Sequence, residues 1–428
     1  MNNKREQIQQ EASSLILKDK DLILFISIRL GKTRIALKAI EENDEKILVI
    51  YPNKAIRESW IDEFNKCGIS SHNVTFSVRN GLKKLKDSEF DYVIIDEPQL
   101  LSNKQIEYLS TIKYNKRVAL SGTLKDTTIK KLKSKLRLEV KYKYGINEAI
   151  KDKLVKDYKI YIHIDELSKN NSIQYKKYGN IVTTSESEAY KHYTKSIEYF
   201  DKKYQETGEI KYNMGLKKYI NLRTNLLYNS RSLHELARSL ISLYKEDKAL
   251  IYTLRRDIAD LLSFNSYHTG NKSKDILNEF KEAKNGHLSV VNCVQAGVTI
   301  KHLDRVIFHT YESNTELFYQ KLGRSLLYEY DGQLANIHIC CLKDTQMEVW
   351  VNNACKSLEQ NKINYIYNNK VYTKIEWLKF KYPNKELYIY NDNYCYLDDE
   401  IQEEYSNYKF IDNPNKSYIL NINKLTKI

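Results

Sequence analysis

Three short runs of this sequence carry residue types that could do chemistry together. The first is Gly31-Lys32-Thr33, which follows the apolar run Leu22 to Ile26 and precedes Ile35, Ala36, Leu37, Ala39 and Ile40 at helical spacing. Strand, loop and helix in that order are the layout of a phosphate-binding loop, the bland alternative being a turn that caps a helix. Gly31 lets the backbone approach a phosphate closely and Lys32 reaches the β- and γ-phosphates of ATP. Thr33 holds Mg²⁺ at a helix N-terminus whose amides favour anions. Arg29, Leu30 and Arg34 complete the expected nucleotide loop. The full pattern GxxxxGK[ST] is not met, because Ile26 stands at its first glycine.

The second run is Asp96-Glu97-Pro98-Gln99, directly after Tyr92-Val93-Ile94-Ile95. Adjacent carboxylates at the C-terminal end of a buried strand face the crevice where open α/β sheets bind ligands. Asp96 is expected to hold the Mg²⁺ and Glu97 to polarise the attacking water. The bland alternative is an aspartate that caps the next helix beside a solvent-facing glutamate. The third run, Ser121-Gly122-Thr123, ends the apolar strand Arg117 to Leu120.

The elements that must position these residues alternate strand and helix. Ile47 to Tyr51, Val74 to Val78, Tyr92 to Ile95 and Arg117 to Leu120 read as strands, and Ile56, Trp60, Ile61 and Phe64 mark an amphipathic helix. Residues 1 to 20 read as a helix with a loose apolar face at Ile8, Ala12, Leu15 and Leu17. Lysines crowd from Lys125 to Lys159, a pattern of a solvated helix face or of phosphate contacts beside a crevice. Leu154 to Ile164 reads as a linker into a second domain, and residues 185 to 245 as packed helices. The alternation restarts at Ala249 to Thr253 and continues through strands Leu288 to Val291 and Arg305 to Phe308. Near the end Tyr388, Tyr390, Tyr394 and Tyr396 alternate, as in strands of a small β-rich appendage.

In this order and spacing, GKT at 31 to 33, YPNKAIRESW at 51 to 60, VIIDEPQ at 93 to 99 and LSGT at 120 to 123 resemble motifs I, Ia, II and III of superfamily 2 helicases and translocases. VNCVQAGVTI at 291 to 300, with Gly297, resembles motif V, and Gln320-Lys321-Leu322-Gly323-Arg324 resembles motif VI. The resemblance covers about residues 5 to 345. It implies that Asp96-Glu97 is a Walker B pair written here as DEPQ, that Gln9 reads the adenine edge, and that Ser121, Gly122, Thr123 and Gly297 couple hydrolysis to movement. Gln320 and Arg324 would face the nucleotide. Two departures stand out: Arg29 sits where many such loops carry glycine, and Leu327 replaces the arginine that usually touches the γ-phosphate. An arginine finger is worth roughly 10³ to 10⁵ in rate. Either Arg324, helped by Arg255 or Arg29, supplies that charge, or hydrolysis is very slow.

Length and composition bound the rest. At 428 residues the chain suits two or three domains. The expected architecture is α/β: two RecA-like parallel-sheet lobes with a helical segment between them and a small C-terminal appendage. The lobes are expected at 1–145 and 248–345, with the linker and helical segment at 146–247 and the appendage at 346–428. No run of about 18 apolar residues and no apolar leader at the N-terminus lead to an expectation of a cytoplasmic protein away from membranes. The six cysteines show no CxxC spacing, so neither zinc nor disulfides are expected. A net charge of +14 suits a polyanion, although the abundance of Lys, Asn, Ile and Tyr also reflects an AT-rich source.

The sequence thus predicts a monomeric ATP- and Mg²⁺-dependent helicase or translocase on nucleic acid, with DNA favoured over RNA. A phage or viral setting in replication or repair, with partners there, fits the composition. The alternative is an ATP-binding nucleic-acid clamp whose hydrolysis is degenerate, and a third reading makes the chain the motor subunit of a restriction-type complex.

Overall fold

Continuous Ile/Leu/Val runs require a strand buried on both faces, and the first third of the chain folds accordingly. In the computed structural model, α1 (Asn2–Lys18) leads into β1 (Asp21–Ile26), α2 (Lys32–Lys38), β2 (Ile47–Tyr51), α3 (Lys54–Cys67) and β3 (Val74–Val78). A 3₁₀ turn (Arg79–Leu85), β4 (Glu89–Asp96), α4 (Asn103–Thr111), β5 (Lys113–Ser121), α5 (Asp126–Leu136), β6 (Glu139–Tyr144) and α6 (Ile146–Lys151) follow. The six strands form one sheet in the order β3-β2-β4-β5-β1-β6, with every neighbouring pair parallel. The structure describes residues 2–428 except 41–44, 53, 171–172, 178–179, 264, 272–273, 292–299, 312–314, 330–331, 357, 391–392, 403–404, 412 and 422–424.

The second sheet opens with β7 (Asp157–Asp165). A hairpin of β8 (Ile173–Lys177) and β9 (Asn180–Thr184) precedes three helices, α7 (Glu186–Thr207), α8 (Ile210–Tyr228) and α9 (Arg231–Leu243). Then come β10 (Lys248–Thr253), α10 (Arg256–Leu262), β11 (Ser266–Tyr267), α11 (Lys274–Glu282), β12 (Gly286–Val291), β13 (Arg305–Phe308) and α12 (Thr315–Leu322). β14 (Leu334–Leu342), α13 (Gln346–Cys355), β15 (Ile363–Tyr367), β16 (Lys370–Thr373) and α14 (Lys374–Lys381) complete this part. The strand order is β11-β12-β10-β13-β14-β7-β15-β16, and the sheet is mostly parallel. Both sheets are RecA-like α/β lobes.

Ile160 to Ile164, which reads as linker, lies inside this sheet between β14 and β15. Its buried Tyr158, Ile160 and Ile162 alternate with more exposed neighbours, the period of a strand. The hairpin β8–β9 has no counterpart in the sequence reading. Glu186, which is 3% exposed, ties the start of α7 to the start of α9. Its carboxylate accepts from Ser230 Oγ at 2.8 Å, the Arg231 amide at 2.7 Å and the Ser168 amide at 3.2 Å, so a buried charge is met by several donors.

The appendage is a five-stranded antiparallel sheet of β17 (Leu387–Tyr390), β18 (Asn393–Gln402), β19 (Tyr405–Phe410), β20 (Asn413–Asn421) and β21 (Thr426–Lys427), ordered β20-β19-β18-β17-β21. The compact units do not follow chain order: residues 1–157, 293–302 and 316–335 form one, and 158–292, 303–315 and 336–428 the other. Among the described residues no helix is long and apolar enough to cross a membrane.

Candidate nucleotide site

Strand register sets the candidate site. Asp96 pairs with Leu120, and Leu120 with Leu24, so β4, β5 and β1 end level with one another along one edge of the first sheet. Asp96-Glu97, Ser121 to Thr123 and the loop after Ile26 therefore emerge side by side. At Gly122 a Cβ would stand 3.2 Å from the Ile26 carbonyl oxygen and 3.2 Å from Ile28 Cγ2, so glycine lets these two loops touch.

The loop turns at Gly31, with φ of 80°, a conformation glycine adopts without the clash a side chain suffers. Lys32 and Thr33 begin α2. Lys32 Nζ forms an ion pair with Glu97 Oε1 at 2.5 Å, both side chains being about six-sevenths covered. Glu97 Oε2 accepts from Gln99 Nε2 at 2.5 Å and from Ser121 Oγ at 3.4 Å. Ser121 Oγ lies 2.9 Å from Gln99 Oε1 and 3.0 Å from the Thr123 carbonyl, and the Thr123 amide donates back to Ser121 Oγ at 3.1 Å. One network thus joins Lys32, Glu97, Gln99, Ser121 and Thr123. Glu97 sits at φ 54°, an uncommon conformation for a side chain that turns it out of the strand line.

Asp96 is buried, and Trp60 Nε1 donates to its Oδ2 at 3.2 Å. Burial first and the neighbouring Glu97 second raise its carboxyl above the ordinary range, against the opposing pull of Lys32 and of the indole bond. A cation bound at this carboxylate would offset that cost.

Beside the loop lies a cavity of about 370 Å³ lined by Arg5, Glu6, Gln9, Arg29, Leu30, Gly31, Arg34 and Glu63, within the size range of small-ligand pockets. Gln9 is buried, and its Nε2 donates to the Leu30 carbonyl at 2.9 Å, which fixes the loop's approach to α1. A Cβ on Gly31 would fall 2.9 Å from that same amide nitrogen. Arg29 Nε donates to the carbonyl of Gly323 at 3.0 Å, just past α12, and Nη2 to that of Arg324 at 3.4 Å.

The structure therefore gathers Gln9, Arg29, Leu30, Gly31 and Arg34 around the cavity, and Lys32, Glu97, Ser121 and Thr123 in the network. Arg324 is half-buried next to Gly323. Gln320 lies half-buried on α12 and joins neither group by a hydrogen bond among the described residues. Thr33 occupies the first turn of α2. Gly297 and the rest of 292–299, like Asn53 of the run at 51 to 60, lie outside the described residues.

Residues 3–205 match the family model of the type III restriction enzyme res subunit. The ATP-dependent Type ISP restriction-modification enzyme LlaBIII, solved bound to DNA, is similar over 88% of this chain at 14% identity and a TM-score of 0.55. The chain spans 32% of that enzyme's length. S. cerevisiae Dbp5, solved bound to RNA and ADP BeF3, is similar over 84% of this chain and 89% of its own at 11% identity and a TM-score of 0.52. Against curated proteins the sequence gives no match. The chain shares the helicase-like fold of these solved structures, built on RecA-like α/β lobes.

Within that helicase-like fold, sequence reading missed Trp60 as the partner of Asp96, and Glu6 and Glu63 as cavity residues. Helical spacing could have pointed to Glu6, three before Gln9 on α1, while no local signal marks Glu63 on α3. No local signal marks Trp60, whose periodicity reads as core.

Proposed function

We propose that this chain is an ATP-hydrolysing motor that moves along or remodels nucleic acid, DNA in preference to RNA. The observation that carries the reading is the Lys32–Glu97 ion pair, linked through Gln99 to Ser121 and Thr123, in a loop that also lines the cavity at Arg29, Leu30 and Gly31. The donor set suits ATP with Mg²⁺: a cationic side chain and helix amides for phosphates, a hydroxyl at Thr33 and a buried carboxylate at Asp96 for the cation. Gly31 leaves open the space a side chain would fill. When bound, Mg²⁺ would neutralise charge building on the β- and γ-phosphates.

The chain's own residues divide the work. Gln9 orients the loop and offers its amide to the base, and Lys32 exchanges Glu97 for phosphate oxygens. Glu97, released from the ion pair but still held by Gln99 and Ser121, orients a water and accepts its proton. Ser121 and Thr123 then relay the altered state of Glu97 along the end of β5. Arg324 supplies positive charge near the γ-phosphate in the place left by Leu327. The similarity of LlaBIII and Dbp5, solved with DNA and RNA, supports nucleic acid as the track. The AT-biased composition supports a phage or viral setting, in the cytoplasm of the cell.

Steady-state hydrolysis by wild type and Lys32→Ala, without polymer and with single-stranded, duplex and forked DNA and with RNA, tests this. Stimulation by one polymer, lost in the variant, is the expected result. A second reading, a nucleic-acid clamp that binds ATP without turnover, is favoured by Leu327 and by the engagement of Arg29 with main-chain carbonyls. It predicts ATP binding with no turnover above the Lys32→Ala background on any polymer.

A further inference from the structure

One side of the first sheet carries charge that the nucleotide site does not use. Leu82, Ile106 and Leu132 belong to one buried cluster with Leu48, Val93 and Ala119. The 3₁₀ turn, α4 and α5 therefore form a single layer over one face of the sheet. Eight of the nineteen residues from Lys125 to Lys143 are Lys or Arg, opposed only by Asp126 and Glu139. Glu139 is already taken, by Lys133 at 2.9 Å and Lys141 at 3.5 Å.

On the layer's outer side Lys83, Lys84, Lys104, Lys125, Lys130 and Lys135 are exposed, and none forms an ion pair among the described residues. The exposed carboxylates there are Asp87, within 3.9 Å of Lys86, Glu107 and Asp126. Such one-signed charge repels itself, and a polyanion relieves the repulsion. Lysine is a flexible point charge, suited to phosphates rather than to the edges of bases. No large hydrophobic or aromatic side chain is exposed on the turn, α4 or α5 among the described residues, so the layer lacks the stacking platform that single strands use.

We infer that this layer is a nucleic-acid contact that takes the phosphate backbone of a duplex, apart from the nucleotide loop. The inference rests on the motor reading above. Duplex DNA offers about one negative charge per 1.7 Å of axis, dense enough to meet several of these lysines at once.

The test is a salt titration of duplex binding, read by fluorescence anisotropy, for wild type and for a variant carrying Lys84→Gln, Lys104→Gln, Lys130→Gln and Lys135→Gln. Each lost duplex phosphate contact lowers the slope of log K against log salt by about 0.9. The expected result is a slope shallower by about 2 to 4 and at least tenfold weaker duplex binding at low salt. ATP hydrolysis without polymer and the melting temperature should stay at wild-type values. Duplex binding by wild type with an unchanged slope in the variant would overturn this inference and leave the motor standing. An equal loss on single-stranded DNA would overturn the duplex assignment, as would transfer of the effect to phosphatidylserine vesicles. No binding of any polymer by wild type would remove both readings.

Discussion

Arg29 reaches from the nucleotide loop to the carbonyl of Gly323, with Nε 3.0 Å from the oxygen, and holds the turn that carries Arg324. It does so from φ 70°, a left-handed conformation that costs a residue with a side chain about 1 kcal/mol. Glycine would suit the backbone better, so what arginine contributes is the tie. Arg29→Gly should leave the melting temperature level or slightly raised and lower ATP turnover about tenfold, equivalent to ~1.4 kcal/mol. Arg29→Lys, with one donor group instead of a fork, should recover part of that rate. Wild-type turnover in Arg29→Gly would show that the tie has no part in the reaction.

Lys32 cannot serve Glu97 and a phosphate with the same geometry, so on the proposed motor reading ATP competes with the 2.5 Å ion pair. Removing the carboxylate charge removes the competitor. Glu97→Gln should therefore bind Mg²⁺·ATP several-fold more tightly while hydrolysis falls by about 10² to 10⁴, the usual weight of a general base. Titration with a fluorescent ATP analogue and single-turnover hydrolysis separate the two effects. Weaker binding together with retained hydrolysis would assign Glu97 a purely structural part.

What the sequence reveals here is contiguous chemistry. Gly31-Lys32-Thr33, Asp96-Glu97 and Ser121 to Thr123 each follow an apolar run, and parallel strands leave little choice but to bring such ends to one edge. The unread parts are those that distant segments assemble. Trp60 meets Asp96 across 36 positions, and Arg29 meets Gly323 across 294. Neither separation leaves a mark on local periodicity. β7 was similarly hidden: its partner β15 lies about two hundred residues downstream, so its alternating pattern alone could not say which sheet it joins.

Trp60 gives that lesson a measurable form. Trp60→Phe keeps an aromatic ring among Phe64 and its neighbours but withdraws the donor at 3.2 Å from a buried carboxylate oxygen. Loss of such a bond costs about 1 to 3 kcal/mol. It also removes one of the influences that favour the ionised Asp96, so the apparent affinity for Mg²⁺ in hydrolysis should fall. Trp60→Phe with unchanged Mg²⁺ dependence would confine Trp60 to packing.

Four histidines of the second unit, His163, His234, His309 and His338, stand in two close pairs that no catalytic role requires. His163 Nε2 lies 2.9 Å from His338 Nδ1, and His309 Nε2 lies 2.8 Å from His234 Nδ1. Burial holds His163 down to about 4, and burial with the adjacent His234 holds His309 down to about 3. Burial, His163 and Arg305 together lower His338 as well. A base depressed in the folded state binds fewer protons there than in the unfolded chain, so its stability is complete above about pH 6.5 and is lost as pH falls. Between pH 7 and pH 5 each such imidazole removes on the order of 2 kcal/mol, with His163 and His338 acting as a coupled pair. The urea midpoint of the second unit should therefore drop clearly over this interval, and His309→Asn should flatten that drop. An equal midpoint at pH 7 and pH 5 would mean that these imidazoles do not fold in the neutral form, and that the two histidine pairs carry their protons into the core.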